Sequence, residues 1–137
     1  MDEATLQTFE SSLARCTAKP EFLDLFYDTF LASSPKVREK FANTEFANQK
    51  RMLSASFNLM LRAAQNEESG PPEYLEELAK RHGAKQLAIG ADLYDLWLDS
   101  LLVAVRASDP AYSMKIEAAW EKVMGIGIKY LCLRYNS

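Results

Sequence analysis

Apolar residues recur every three or four positions along most of this chain, and this spacing is what most restricts its fold. The clearest case is a stripe of about five helical turns, made of Phe46, Gln49, Leu53, Phe57, Met60 and Ala64. Residues at such intervals lie on one face of an α-helix, so the stripe predicts a long amphipathic helix. Gln49 is its one polar member. Because a polar group on a buried face needs a hydrogen-bonding partner, Gln49 is a candidate functional residue.

Similar spacing predicts three helices before this one. The first carries the stripe Leu6, Phe9, Leu13 and Cys16. The second, from about Glu21 to Ala32, has two inward rows, which are Phe22, Phe26 and Phe30, and Leu23, Tyr27 and Leu31. The third is the short segment PKVREKF, for which Ser34 and Pro35 form a typical cap and first position. We expect the long helix to start at Asn43 and Thr44.

Three further helices are predicted after the long one. The first of them contains Leu75 and His82, and the next runs from Gly90 to about Ala107 with Leu93, Leu96, Trp97, Leu101 and Ala104 inward. Ser108, Asp109 and Pro110 mark a break. The last helix carries the stripe Ile116, Ala119, Trp120, Val123, Gly127 and Tyr130. Its glycines can let another helix approach closely.

The fold class follows from these patterns. No stretch alternates apolar and polar residues over the length of a strand, so the sequence predicts an all-α fold of about seven helices. Residues 67–72, EESGPP, give the strongest loop signal, but neither side alone holds enough apolar residues for a core. We therefore expect residues 1–137 to form a single domain.

Composition excludes several classes of partner. The 16 basic and 19 acidic residues are interspersed and give a net charge of −3, so we expect no nucleic-acid or membrane partner. The acidic start and the absence of a long apolar run favour a cytoplasmic protein. Cys16 and Cys132 form no CxxC pair, which argues against a disulfide framework or a zinc site. The chain also lacks the GxGxxG, Walker and GxSxG motifs of hydride transfer, phosphoryl transfer and hydrolysis.

His82 is the only histidine in the sequence, and it lies on the apolar face of its predicted helix. Leu75, Leu78 and Ala79 precede it at helical spacing, and Gly83 follows it. A buried imidazole needs a partner for its ring nitrogens. Two explanations stay open at this point: a core histidine hydrogen-bonded to a carbonyl, or a ligand to a metal that needs only one protein ligand, of which haem iron is the commonest.

Several segments together resemble the single-domain bacterial haemoglobins of the globin family, the branch that includes flavohaemoglobin-like haem domains. They are LFYDTFLASSPKVREKF, TEFANQKRML, LAKRH ahead of Gly83, Tyr94 with LDSLL, and AAWEKVMGI. In this order and spacing they span nearly the whole chain. The resemblance implies a globin fold around a haem pocket. Without a CxxCH motif, the cofactor would be haem b, bound non-covalently.

The resemblance also implies roles for individual residues. His82 would be the proximal iron ligand, Phe41 the phenylalanine stacked on the haem, and Tyr27 and Gln49 the distal polar pair. Both distal residues are polar groups on apolar helix faces, where bound O2 can accept their hydrogen bonds. Two alternatives stay open. Tyr27 can be a core tyrosine whose hydroxyl reaches the surface, and a rotation of the helix by one residue would bring Asn48 to the haem in place of Gln49.

Other residues complete the expected pocket. Its apolar lining would comprise Phe30 on the distal side, together with Leu53, Phe57, Leu78, Ile89, Leu93, Trp97 and Leu101. Tyr94 lies where the family has a tyrosine beside the proximal imidazole. In relatives that react with NO, a glutamate of the last helix assists this tyrosine, but no glutamate follows Glu121 here. Haem propionates need cations, for which the candidates are Lys50, Arg51, Arg81 and Lys85.

These residues predict a globin that reversibly binds O2, NO and CO at a pentacoordinate iron held by His82. Its use would be O2 binding and transport, or NO detoxification as an NO dioxygenase with an external reductase, since the chain has no flavin domain. One alternative is a diatomic-gas sensor that signals to a partner protein. The other is a haem-free, globin-like interaction module. Either a monomer or a homodimer is compatible with the sequence.

The choice between a haem ligand and a core histidine can be tested on the purified protein. We predict that the haem-supplied protein shows a Soret absorption band and that His82→Ala removes most of it, because the chain has no second histidine to serve as axial ligand. Circular dichroism would check that the variant is folded. A folded wild-type protein that stays colourless after haem supply would support the interaction module instead.

Overall fold

The computed structural model describes residues 2–65 and 91–134, with side chains described for 2–65 and 93–128. In these ranges the chain forms six helices and no strand. In chain order the helices are α1 Glu3–Thr17, α2 Glu21–Ser33, α3 Pro35–Lys40, α4 Phe46–Gln65, α5 Ala91–Ser108 and α6 Met114–Arg134. This confirms the predicted all-α class, and six helices in this part of the chain are close to the predicted number. The predicted helix that contains His82 lies outside the described residues.

The helix starts follow local side-chain chemistry. The carboxylate of Asp2 accepts the backbone N–H of Thr5 at 2.7 Å and so caps α1. Ser34 caps α3, with Pro35 at the first helical position, as predicted. Capping of this kind satisfies N–H groups that have no partner inside the helix.

The start of α4 differs from the prediction. The helix begins at Phe46 rather than at Asn43 and Thr44. Glu45 accounts for the difference, because its carboxylate oxygens accept the backbone N–H groups of Ala47 at 3.3 Å and Asn48 at 3.1 Å. A glutamate is an uncommon residue at this position, so the sequence pattern favoured the asparagine and threonine just before it.

The helices pack in the way that their apolar stripes require. α2 lies against α3 and α5, and α6 lies against α1, α4 and α5. Most of the predicted inward residues are buried in the described part of the chain: Phe9, Leu13, Cys16, Phe22, Phe26, Tyr27, Phe30, Leu53, Phe57, Met60, Ala64, Leu93, Leu101, Ala104, Ile116, Ala119, Trp120 and Val123. Six others are only partly buried and pack against them: Leu6, Leu23, Leu31, Phe46, Leu96 and Trp97. The helices therefore share one hydrophobic core.

Four aromatic rings form the centre of this core. The indole of Trp120 has its ring centroid 4.7 Å from that of Phe9, 5.7 Å from Phe57 and 6.3 Å from Phe22. These rings come from α6, α1, α4 and α2, and we call them the Trp120 cluster. Buried aromatic pairs in tilted or edge-to-face arrangements add about 0.5–1.5 kcal/mol each beyond the burial of their area. The Trp120 cluster therefore holds four helices together.

A glycine allows α4 and α6 to approach closely. A Cβ atom added at Gly127 would lie 2.9 Å from Cγ of Met60, whereas one added at Gly125 would meet nothing within 4 Å. The sequence suggested that the glycines of the last helix let another helix approach closely. Of Gly125 and Gly127, Gly127 is the one at which this close approach occurs.

A buried polar network joins α1 to the turn between α5 and α6. Asp109, whose side chain is 0% exposed, accepts hydrogen bonds from Ser12 Oγ at 2.6 Å, from Arg15 Nε at 2.6 Å and from the N–H of Ala111 at 2.9 Å. Ser12 Oγ in turn accepts the indole N–H of Trp120 at 2.9 Å. Every polar group of the network thus has a partner, which is what burial requires.

The charge state of Asp109 is set by these contacts. Burial on its own would raise the pKa of the carboxyl, but the hydrogen bonds from Arg15, Ser12 and Ala111 outweigh it and hold the pKa below its ordinary value. Since the folded-state pKa is the lower one, ionised Asp109 stabilises the fold above the unfolded-state pKa. This contribution is lost as the pH falls through about 4 towards the folded-state pKa.

We predict that Asp109→Asn lowers the free energy of unfolding by about 1–3 kcal/mol near neutral pH, because it weakens a buried, charge-assisted set of hydrogen bonds. The difference from wild type should shrink as the pH is lowered below about 4. Urea denaturation across a pH series would measure it. Asp99→Asn on the exposed face of α5 is the matched control, and an equal effect of both substitutions would contradict the prediction.

Candidate functional site

A second group of aromatic rings lies at the other end of α2. It consists of Phe26, Tyr27 and Phe30 on α2, Phe41 at the end of α3, Phe46 at the start of α4, and Trp97 on α5. We call it the Tyr27 cluster. Its members contact one another in a chain of ring pairs, among them Phe41 with Phe30 at 5.8 Å and Trp97 with Phe26 at 6.0 Å. Phe41, Phe46 and Trp97 are only half-buried.

Tyr27 is enclosed by the rings of this cluster. Its ring centroid lies 4.9 Å from Phe26, 5.4 Å from Phe46 and 6.2 Å from Phe41, and all three pairs are edge-to-face. The residue is only 4% exposed. The alternative in which the Tyr27 hydroxyl reaches the surface therefore has little support in the structure.

The Tyr27 hydroxyl has one weak hydrogen-bonding partner among the described residues. It donates to the backbone carbonyl of Gln49 at 3.4 Å, which is longer than the usual 2.5–3.0 Å or so of an O–H···O bond. Burial raises the pKa of this hydroxyl above its ordinary value, with a smaller opposing effect from the Gln49 contact. Tyr27 thus keeps its proton at physiological pH and remains a hydrogen-bond donor.

The register of α4 brings Gln49, rather than Asn48, towards Tyr27. Gln49 is half-buried, while Asn48 is exposed and its side-chain oxygen accepts a hydrogen bond from Arg51. The stripe that begins at Phe46 therefore faces inward in the orientation that the sequence favoured. The role of Gln49 towards a ligand stays a prediction.

Two of the proposed propionate cations have other partners. Lys50 forms an ion pair with Asp24 on α2, and Arg51 donates to Asn48 on its own helix. The ion pair links the first turns of α4 to α2. Such exposed pairs contribute about 1 kcal/mol or less to stability. The Lys50 contact therefore helps to position α4 against α2 but adds little to the stability of the fold.

The remaining predicted site residues fall into three groups. Leu53, Tyr94, Leu93 and Leu101 are buried in the core, with Leu53 one turn after Gln49 on α4. Phe57 packs in the Trp120 cluster, away from the rings around Tyr27. The others lie outside the described residues: His82, Leu78, Arg81, Lys85 and Ile89.

Sequence reasoning missed Phe46 as a member of the site. It placed Phe46 on the same stripe as Gln49, one turn earlier, but assigned it only to the core. The signal was available, since two residues three positions apart on a helix face contact the same neighbour. The neighbour itself, Tyr27, is distant in the sequence, and only the packing of α4 on α2 shows the contact.

No described helix has the length and apolar character needed to cross a membrane. Within residues 2–65 and 91–134, no group of three or more histidine, cysteine, aspartate or glutamate side chains is arranged to hold a metal ion.

Comparison with known proteins identifies the family. A model of the Globin family matches residues 24–129 of the chain, which is most of its length. This chain therefore belongs to the globin family, in agreement with its helical fold and with the sequence resemblance.

A solved structure gives the same result. The chain is similar to a protein of Pseudomonas aeruginosa whose crystal structure is described as structurally highly homologous to a human haemoglobin. The two share 38% sequence identity with a TM-score of 0.91, and the match covers 97% of this chain and 99% of the other. A comparison with curated proteins found no significant match.

The weak contact of the Tyr27 hydroxyl leads to a stability prediction. We expect Tyr27→Phe to change the free energy of unfolding by less than about 1 kcal/mol, because the bond it removes is long and weak. Ser12→Ala, the matched loss of a buried hydroxyl, should cost about 1–3 kcal/mol, since it removes one of the hydrogen bonds to Asp109 and leaves the Trp120 N–H without its partner. Urea denaturation measures both. A larger loss for Tyr27→Phe than for Ser12→Ala would show that the Tyr27 hydroxyl is structural.

Proposed function

We propose that this protein is a haem-binding globin that reversibly binds O2 and other diatomic ligands such as NO and CO. His82 is the proposed proximal ligand to the iron of a non-covalently bound haem b. Tyr27 and Gln49 are the proposed hydrogen-bonding residues on the opposite, distal side. The buried Tyr27 hydroxyl is the observation that carries the proposal.

The described residues fit a haem group. The Tyr27 cluster offers an apolar, aromatic surface into which the Tyr27 hydroxyl places a hydrogen-bond donor, which is the usual composition of a site for a largely apolar cofactor. Phe41 and Trp97 are half-buried members of this surface, so their rings have area left for a further contact. Haem iron, when bound, supplies a centre that takes up diatomic gases reversibly.

The chain's own residues would act on the ligand through hydrogen bonding and exclusion of water. The Tyr27 hydroxyl is protonated, and its one hydrogen bond among residues 2–65 and 91–134 is the 3.4 Å contact with the Gln49 carbonyl. Turning from that carbonyl to a ligand therefore costs little, and a hydrogen bond to a partly charged acceptor is worth more than one to a neutral group. The rings of Phe26, Phe41 and Phe46 shield the hydroxyl from competing water.

This arrangement suits a ligand that carries partial negative charge. With haem present, O2 would carry such charge and CO would stay nearly apolar, so the Tyr27 hydroxyl would favour retention of O2. Reversible binding of this kind serves O2 transport, and it serves NO detoxification if a separate reductase restores the ferrous state. Both uses are compatible with the same distal residues.

The proposal predicts faster loss of O2 when the hydroxyl is removed. Tyr27→Phe should raise the O2 dissociation rate about tenfold or more, because a buried hydrogen bond to a charged group is worth about 1.5–3 kcal/mol. Stopped-flow displacement of O2 by CO would measure the rate. An unchanged rate in a haem-loaded variant would mean that Tyr27 does not face the ligand.

The register of α4 provides a matched pair of controls. Gln49→Leu should also raise the O2 dissociation rate, because Gln49 lies on the half-buried face beside Tyr27. Asn48→Leu should leave the rate unchanged, because Asn48 is exposed. The reverse result would place Asn48 at the ligand.

A further inference from the structure

The first turn of α4 contacts Tyr27 at two points. The ring of Phe46 meets the Tyr27 ring edge-to-face at 5.4 Å with an interplanar angle of 72°. Three residues later, in the same turn, the Gln49 carbonyl accepts the hydroxyl at 3.4 Å. This turn therefore touches both the body and the tip of the tyrosine side chain.

The same turn is fixed at both of its ends. The carboxylate of Glu45 caps it through the N–H groups of Ala47 and Asn48. Lys50, directly after Gln49, pairs with Asp24 on α2, one helical turn before Tyr27. Phe46 is thus held at a set place relative to the helix that carries Tyr27.

Phe46 also forms a wall together with Phe41. The two rings are stacked at 6.3 Å with an interplanar angle of 27°, and each of them contacts Tyr27. Phe26 closes another side at 4.9 Å. Loss of the Phe46 ring would open space beside Tyr27 and allow its side chain to rotate. Because hydrogen bonds weaken steeply with poor distance and angle, a small rotation of the ring is enough to weaken a bond made by the hydroxyl.

We infer that Phe46 is a positioning residue, which holds the Tyr27 hydroxyl where it bonds to a ligand and thereby sets how strongly the protein retains O2 relative to CO. This inference rests on the proposed function. The inference deepens the proposed function, because the preference for O2 over CO then depends on Phe46, a side chain that acts only through Tyr27. A residue that simply filled the pocket would change the release of both gases.

A double-mutant cycle tests the inference. O2 and CO dissociation rates are measured for the haem-loaded wild type, Phe46→Leu, Tyr27→Phe and the double variant. We expect Phe46→Leu to raise the O2 rate about threefold or more when Tyr27 is present, and to add almost nothing in the Tyr27→Phe background. The CO rate should change little in all four proteins. An equal acceleration of O2 release in both backgrounds would overturn the inference, because Phe46 would then act independently of Tyr27.

A matched control separates positioning from general loosening of the core. Phe22→Leu also removes an aromatic ring from α2, the helix that carries Tyr27. The ring of Phe22, however, belongs to the Trp120 cluster. Phe22→Leu should leave O2 release unchanged. An acceleration as large as that of Phe46→Leu would contradict the inference. If Phe46→Leu does not fold, Phe46→Met replaces it in the cycle, because methionine fills a similar volume without a ring.

A spectroscopic measurement does not depend on ligand binding. In protein with isotope-labelled tyrosine, the ring signal of Tyr27 is identified by its loss in Tyr27→Phe. We expect the NOE contacts of this ring with the Phe41 ring to weaken in Phe46→Leu and to persist in Phe22→Leu, and unchanged NOE contacts in Phe46→Leu would overturn the inference. If the wild type takes up no haem, the proposed function fails, and this comparison alone decides whether Phe46 positions Tyr27.

Discussion

The packing of the first turn of α4 against Tyr27 is the contact on which the site depends. It buries a hydroxyl among the rings of Phe26, Phe41 and Phe46 and, within the described part of the chain, gives it one long hydrogen bond. A buried donor in this condition is costly to the fold unless it gains a better partner. A diatomic ligand with partial negative charge would be such a partner, which is the reason for proposing that Tyr27 acts on a bound ligand.

α2 connects this site to the part of the molecule that stabilises it. Phe22, at its beginning, belongs to the Trp120 cluster, in which rings of four helices meet. Tyr27 and Phe30, further along the same helix, belong to the cluster that forms the site. The buried Ser12, Asp109 and Trp120 network fixes α1 and α6 around the first cluster. The tyrosine is therefore presented from a rigid scaffold, which a weak but directional hydrogen bond requires.

Spacing in the sequence predicted the helices and their inward faces because helical periodicity is a local property. It also placed Tyr27 and Gln49 on buried faces. It did not predict the start of α4, where the Glu45 carboxylate takes the capping role that Asn43 and Thr44 suggested. Nor did it predict the Asp109 network or the Phe46 contact, since these join residues far apart in the sequence and depend on how whole helices pack. The role of His82 was inferred from its uniqueness and from family resemblance, and it stays a prediction.

The stretching frequency of carbon monoxide bound to the haem-loaded protein tests most directly whether the Tyr27 hydroxyl faces the ligand. A hydrogen-bond donor near the ligand draws electron density towards it and weakens its internal bond. We therefore predict a lower C–O frequency in the wild type than in Tyr27→Phe, with Ser12→Ala unchanged from wild type. Identical infrared bands in the wild type and Tyr27→Phe would contradict the proposed placement of Tyr27 and, with it, the proposed preference for O2.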